Sequence, residues 1–267
     1  MLSNDLHLDA KSIHKLSAKG LALDILKKQL TEDLDLSLEI WHAQGLEIVK
    51  ELGYFYFATK FISLKKAEFC IVDIETNGSK IDKHQIIEIA AVKVKNGVIT
   101  HRFESLVKCK EINEHITLIT GISAEDTKNA PSLKKVLNEF KIFLGDAIFI
   151  AHDVKFDYKF ISQSLQKIGQ APLLNRSLCS LALAERTIES YRYALSYLNE
   201  SLNLHPDATH HRAMSDVLTT YELFILSLKN VGKSIRYVED LIRYSKEASR
   251  LKRPKFDPLK IDVENLL

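Results

Sequence analysis

Three strand-like segments between Glu68 and Val107, the last two joined by Asn96-Gly97, constrain this chain more than any other feature. FCIVDIE, IIEIAAVKV and VITHRFESLV are rich in apolar and β-branched residues, as half-buried or buried strands are. Asn-Gly suits the two-residue type I′ turn, in which both central residues need positive φ. A three-stranded meander is therefore expected. After Pro131, SLKKVLNEFKIFLG has helical spacing and closes on Gly145; AIFIA is a short buried strand that leads into a helix from Val154 to about Ile168. Residues 191–203 and 212–228 supply two more helices. This order predicts an α/β fold, a mixed sheet flanked by helices.

Two segments flank that pattern. Residues 1–66 read as a small, mainly helical, winged-helix-like module, its helices followed by the strand candidate YFYFATKFISL. Residues 230–267 carry one helix with Ile235, Val238, Leu241 and Ile242 on its apolar face, then LKRPKFDPLK, where Pro254 and Pro258 stop regular structure. This basic C-terminal segment is expected outside the core. The central domain is thus 67–229.

Composition narrows the class. An apolar content of 46% across 267 residues can bury a core, while 37 Lys and Arg against 35 Asp and Glu single out no polyanionic partner by net charge. Cys70, Cys109 and Cys179 form no CxxC pair, which argues against a disulfide framework or a thiolate zinc site. No segment has the length of a membrane span or the pattern of a signal peptide, so a soluble cytoplasmic protein without a membrane partner is expected.

The acids carry the chemistry. Asp73 and Glu75 end an apolar strand, and strand alternation points both to one face. Two carboxylates held together repel unless cations neutralise them, although acids also end ordinary strands at solvent. In IAHDVKFDYKFI, Asp157 falls on the first turn of a helix between Phe156 and Phe160, with Asp153 as its expected N-cap. In THHRAMSD, His211 and Asp216 would not share a face of one helix unless His211 sits in the loop before it, from where it could act as a base while Asp216 ligates metal; taken alone, His210 and His211 also fit ordinary surface residues. Thr76-Asn77-Gly78 make a turn whose glycine permits close approach.

Taken in order, VDIETNG, AHDVKFDYKF and HHRAMSD resemble the motifs of the DEDDh (DnaQ-like) 3′→5′ exonucleases, the superfamily of ribonuclease T and of the epsilon proofreading subunit of bacterial DNA polymerase III. The likeness spans about residues 67–229, including QIIEIAAVKV, ITGIS, NAPSLKKVLNEF and YALSYLNESLNL. It implies a ribonuclease H-like fold with a mixed five-stranded sheet. It also implies metal ligation by Asp73, Glu75, Asp157 and Asp216, with His211 as general base. Thr76 and the backbone around Asn77 and Gly78 match positions that contact the terminal nucleotide, and Ile122 and Phe156 resemble the apolar residues beside its sugar and base. Asp153 departs from the family's usual Asn.

The implied reaction uses two divalent cations, Mg²⁺ or Mn²⁺, and releases nucleoside 5′-monophosphates from a nucleic acid with a free 3′ end. DNA is favoured over RNA and replication proofreading is the leading role, with a replicative polymerase subunit as partner. The alternatives are a ribonuclease T-like enzyme that trims RNA 3′ ends and a non-catalytic scaffold that holds a polymerase or DNA.

Overall fold

A computed structural model of the chain describes residues 8–30 and 32–260. The outer ends of the N-terminal module (1–7) and of the basic tail (261–267), with Thr31, lie outside the described residues.

The N-terminal segment runs α1 (Ala10–Ser17), β1 (Leu21–Ala22), α2 (Leu23–Lys27), α3 (Leu34–Ala43), β2 (Ile48–Glu51) and β3 (Tyr54–Phe57). Its strands form an antiparallel sheet in the order β1-β3-β2. The mixed spacing of its leucines has a simple cause: Leu21 belongs to a strand between two helices, and Val49 to a hairpin turned by Leu52 and Gly53, both at positive φ. The expected strand YFYFATKFISL stops at Phe57. Beyond it, Ile62 and Leu64 exchange backbone hydrogen bonds with Val238 and Arg236, so the rest of that apolar run docks the C-terminal helix.

The main sheet contains β4 (Glu68–Thr76), β5 (Ile86–Lys95) and β6 (Val98–Leu106). Helices α4 (Glu114–Thr120), α5 (Ala124–Thr127) and α6 (Leu133–Leu144) precede β7 (Ile148–Ala151) and α7 (Val154–Lys167). Then come β8 (Ser177–Cys179), α8 (Ser180–Thr187), α9 (Leu195–Leu202), α10 (Ala213–Asn230) and α11 (Val238–Glu247). The sheet order is β6-β5-β4-β7-β8, antiparallel across β6-β5-β4 and parallel across β4-β7-β8. This is the mixed five-stranded sheet of the ribonuclease H-like fold. Asn96 and Gly97 take φ of 51° and 76°, as the type I′ turn requires.

Helices cover both faces. On one, Cys70, Val72 and Ile74 of β4 pack with Phe140 of α6 and Phe160 and Ile161 of α7. On the other, Phe69 and Ile71 pack with Val217 and Phe224 of α10 and with Val238, Leu241 and Ile242 of α11. The last contact corrects the expectation that the C-terminal helix lies outside the core. Its apolar stripe is buried against helix α8, residues 58–60 and the edge strand β8, and its Glu239 is buried in an ion pair with Arg176 (Nε–Oε1 2.6 Å, Nη2–Oε2 2.7 Å) while accepting a hydrogen bond from Thr59 (2.6 Å).

Candidate active site

Strand alternation builds the first half of the site. Because Phe69 and Ile71 face the α10 layer, the same side of β4 carries Asp73 and Glu75 where the strand runs out of apolar residues. A register shift between Glu75 and Thr76 ends regular pairing there. Strand β7 runs parallel to β4, so its exit lies at the same end of the sheet, and the first turn of α7 brings buried Asp157 over it.

His152, just after β7, is held by Ser180 Oγ (3.0 Å) and the Tyr193 carbonyl (2.8 Å) and is a structural residue. Asp153 occupies the N-cap position without making a side-chain cap. Its φ and ψ of 64° and 59° are left-handed rather than the extended values that aim a capping oxygen at the helix N–H groups, which corrects the expected capping role. Aspartate tolerates that conformation better than most residues, as the family's usual Asn does.

The second half comes from α10. Helix α10 starts at Ala213, and His211 precedes it in the loop, exposed and at φ 62°. Asp216 on the first turn accepts the His211 N–H (3.1 Å) and lies 3.3 Å from His210 Nδ1. One ligand atom each from Glu75, His211 and Asp216 lie within 4.8 Å of one another. The sheet and two helices therefore bring together the acids and histidine singled out in the sequence.

Their electrostatics bear the mark of crowding. Burial, then the charges of Asp157, Asp216, Glu75 and Glu88, lift Asp73 well above the ordinary carboxylate range. Burial, then Asp216, Glu88 and Asp157, push Glu75 up to about 8, with Arg212 pulling the other way. Burial raises Asp157 to about 7 although backbone N–H groups of Asp157 and Ile74 oppose it. An all-oxygen acidic set under such mutual repulsion fits a hard divalent cation, which would neutralise it.

The residues expected on the substrate side divide. Phe156 is 40% exposed on the first turn of α7, its ring centroid 5.6 Å from that of Phe160. Thr76 and Gly78 are half-buried beside the acids in the chain. Asn77 serves its own loop: its N–H donates to the Gln85 carbonyl (3.1 Å), its amide to the Glu111 carbonyl (2.9 Å), and its Oδ1 accepts from Gln85 N–H (2.8 Å). The close approach at Gly78 is to His84, whose ring would lie 2.5 Å from an added Cβ. Ile122 is only 2% exposed and packs with Ile87 and Cys109, whereas Leu118 on the preceding helix is 85% exposed. The spacing of ITGIS carries no signal for which isoleucine turns inward.

Sequence reading also passed over Glu88 as a site residue. It lies opposite Glu75 in the β4–β5 register, is 1% exposed, and binds Arg212 and the Ala213 N–H. An acid inside IIEIAAV was the available signal.

This fold and acid cluster define a DnaQ-like exonuclease domain. A family model for exonucleases, RNase_T, matches residues 70–224, and the chain belongs to that family. It is 34% identical over 191 residues to a PolC-type DNA polymerase III of Thermotoga petrophila, covering 68% of this chain and 14% of the relative. It is 37% identical over 164 residues to the PolC-type enzyme of Staphylococcus haemolyticus, covering 61% and 11%. The chain thus spans about a seventh or less of those relatives, and the likeness is not specific to the epsilon subunit. Among solved structures, exonuclease X in complex with 5′ overhanging duplex DNA superposes with a TM-score of 0.53 at 23% identity, over 66% of this chain and 99% of that one. E. coli exonuclease I in complex with a dT13 oligonucleotide gives 0.56 at 15% identity, over 62% and 42%. These two likenesses concern the fold. Among the described residues, no helix is long and apolar enough to cross a membrane.

Proposed function

We propose that this chain is a metal-dependent 3′→5′ exonuclease that removes nucleotides from DNA 3′ ends as nucleoside 5′-monophosphates, in a proofreading role. The observation that carries this reading is the convergence of Asp73, Glu75, Asp157 and Asp216, with His211 on the adjoining loop. The four carboxylates are the residues that would hold two divalent cations, Mg²⁺ or Mn²⁺. When bound, such ions activate a water and stabilise the charge that develops on the departing 3′ oxygen. His211 takes the proton from the attacking water, as its exposed position before α10 permits. Asp216, which accepts the His211 N–H, ties that loop to the acids. Phe156 offers an aromatic face against which an unstacked terminal base can pack.

DNA as substrate is supported by the DNA complexes of exonuclease X and exonuclease I, and a replicative polymerase as partner by the PolC-type relatives. We read residues 1–66 as a winged-helix-like module that docks a partner or caps the fold and does not grip DNA, since its third helix carries Asp35 and Glu39 rather than Lys or Arg. The basic residues Lys252 and Lys255 are exposed and available to phosphates, whereas Arg253 pairs with Glu185 (3.7 Å) and lies over the Tyr193 ring.

The test is digestion of 3′-mismatched and fully paired primer-template DNA, with single-stranded RNA alongside, in Mg²⁺ or Mn²⁺. Mononucleotide release from the DNA 3′ end, faster at the mismatch and abolished by EDTA or Asp73→Asn, is the expected result. Preference for RNA would convert the reading to RNA trimming. Undiminished turnover in EDTA or in Asp73→Asn would refute the chemistry.

A further inference from the structure

We propose that Glu88 and Arg212 form a latch that positions His211. Glu88 is no part of the expected metal set, yet it is a buried carboxylate on the sheet face that carries Asp73 and Glu75. Both of its oxygens are occupied by the segment leading into α10. Oε1 accepts from Arg212 Nη2 at 2.7 Å, Oε2 accepts from the Ala213 N–H at 2.9 Å, and Arg212 Nε lies 3.3 Å from each. This bidentate grip fixes the side chain of residue 212 and the backbone of residue 213 to strand β5.

His211 is the next residue toward the N-terminus. Its ring is exposed, so packing does little to set its direction, and its backbone is left-handed at φ 62°, a conformation that a residue with a Cβ holds only when its surroundings impose it. The impositions are visible on both sides. Glu88 holds 212 and 213 from the sheet, while Asp216 accepts the His211 N–H at 3.1 Å and donates its own N–H to the Arg212 carbonyl at 3.0 Å. With Glu88 released, Asp216 and the contact of His210 Nε2 with the Asn199 amide (3.4 Å) still hold the loop on one side, but nothing ties residues 212 and 213 to β5, and the left-handed turn can relax.

Arg212 is suited to this role because its side chain remains 43% exposed while the Glu88 carboxylate is 1% exposed. The guanidinium reaches in from solvent and closes over the acid, so that the buried charge is compensated and the loop is closed by one contact. Glu88 and Arg212 are therefore positioning residues that act through His211.

This inference rests on His211 serving as the base, and its test separates the two. In the full chain, Glu88→Gln should lower kcat about 10- to 100-fold, less than the about 10²–10⁴-fold that a general base contributes because the base is misaligned and not removed, and leave KM within about twofold. In a His211→Ala background the same change should alter kcat by less than about twofold, because the group it positions is absent. The NMR signals of the His211 ring in the metal-free protein should shift and sharpen toward those of a mobile side chain, a readout independent of activity. Arg212→Lys, which keeps the charge but not the fork, should give the same pattern at smaller amplitude and guards against a misfolded Glu88→Gln. Unchanged His211 signals, an unchanged kcat in Arg212→Lys, or an equal loss with and without His211 would each overturn the latch. An inactive wild type with His211 signals that still respond to Glu88→Gln would refute the exonuclease reading and leave the latch standing.

Discussion

In the absence of divalent metal, Glu75 should make the protein less stable as the pH rises, and Glu75→Gln should remove that dependence. The carboxyl titrates at about 8 in the fold against an ordinary 4.5, first because it is buried and then because Asp216, Glu88 and Asp157 repel its charge. A group whose pKa is raised by folding binds its proton more tightly in the native state. Its contribution is complete below 4.5 and is lost as the pH rises through 8. The gap sets a ceiling of ~5 kcal/mol. Solvent that reaches the half-buried carboxyl reduces the expectation to about 2–3 kcal/mol. Asp157, raised to about 7, acts with the same sign over an overlapping window.

Urea unfolding in EDTA at pH 5 to 9 measures the effect when wild type and Glu75→Gln are compared point by point. The stability of wild type relative to the variant should fall by about 2–3 kcal/mol across that range. Added Mg²⁺ or Mn²⁺ should restore wild type most at the alkaline end, where the acids are ionised, and should release protons on binding near pH 7. Parallel curves for the two proteins, or a wild type that gains on the variant as the pH rises, would refute the electrostatic account of the site.

Three further outcomes follow from the same geometry. His211→Ala should lower kcat by about 10²–10⁴-fold, as expected for loss of a general base, with little change in the unfolding midpoint because the ring is exposed. Arg176→Ala strands the buried Glu239 carboxylate and should cost about 3–5 kcal/mol in denaturant unfolding, whereas Arg176→Met with Glu239→Leu should recover most of it. Phe156→Ala should weaken capture of a single-stranded 3′ end by about 1–3 kcal/mol, read as a rise in KM with kcat nearly unchanged.

Much of this protein is legible without coordinates because its central domain is built from periodic elements. The alternation of FCIVDIE sets Asp73 and Glu75 on one face, Asn96-Gly97 sets the hairpin, and Gly145 ends the helix before β7. Strand β8 and helix α8 were not legible. A three-residue strand has no measurable period and exists because β7 offers it a parallel edge.

By itself, the sequence determined the strand meander, the acids at the ends of its segments and the histidine before the last motif, because these depend on local periodicity and short-range turn chemistry. Tertiary structure decided what met what. It turned Ile122 into the core, set Asp153 in a left-handed turn, drew α11 into the core and closed Glu88 on Arg212, 124 residues away in the chain. No local pattern encodes such pairings, since the packing of the whole chain places the partners and the cost of an unpaired buried charge requires them to meet.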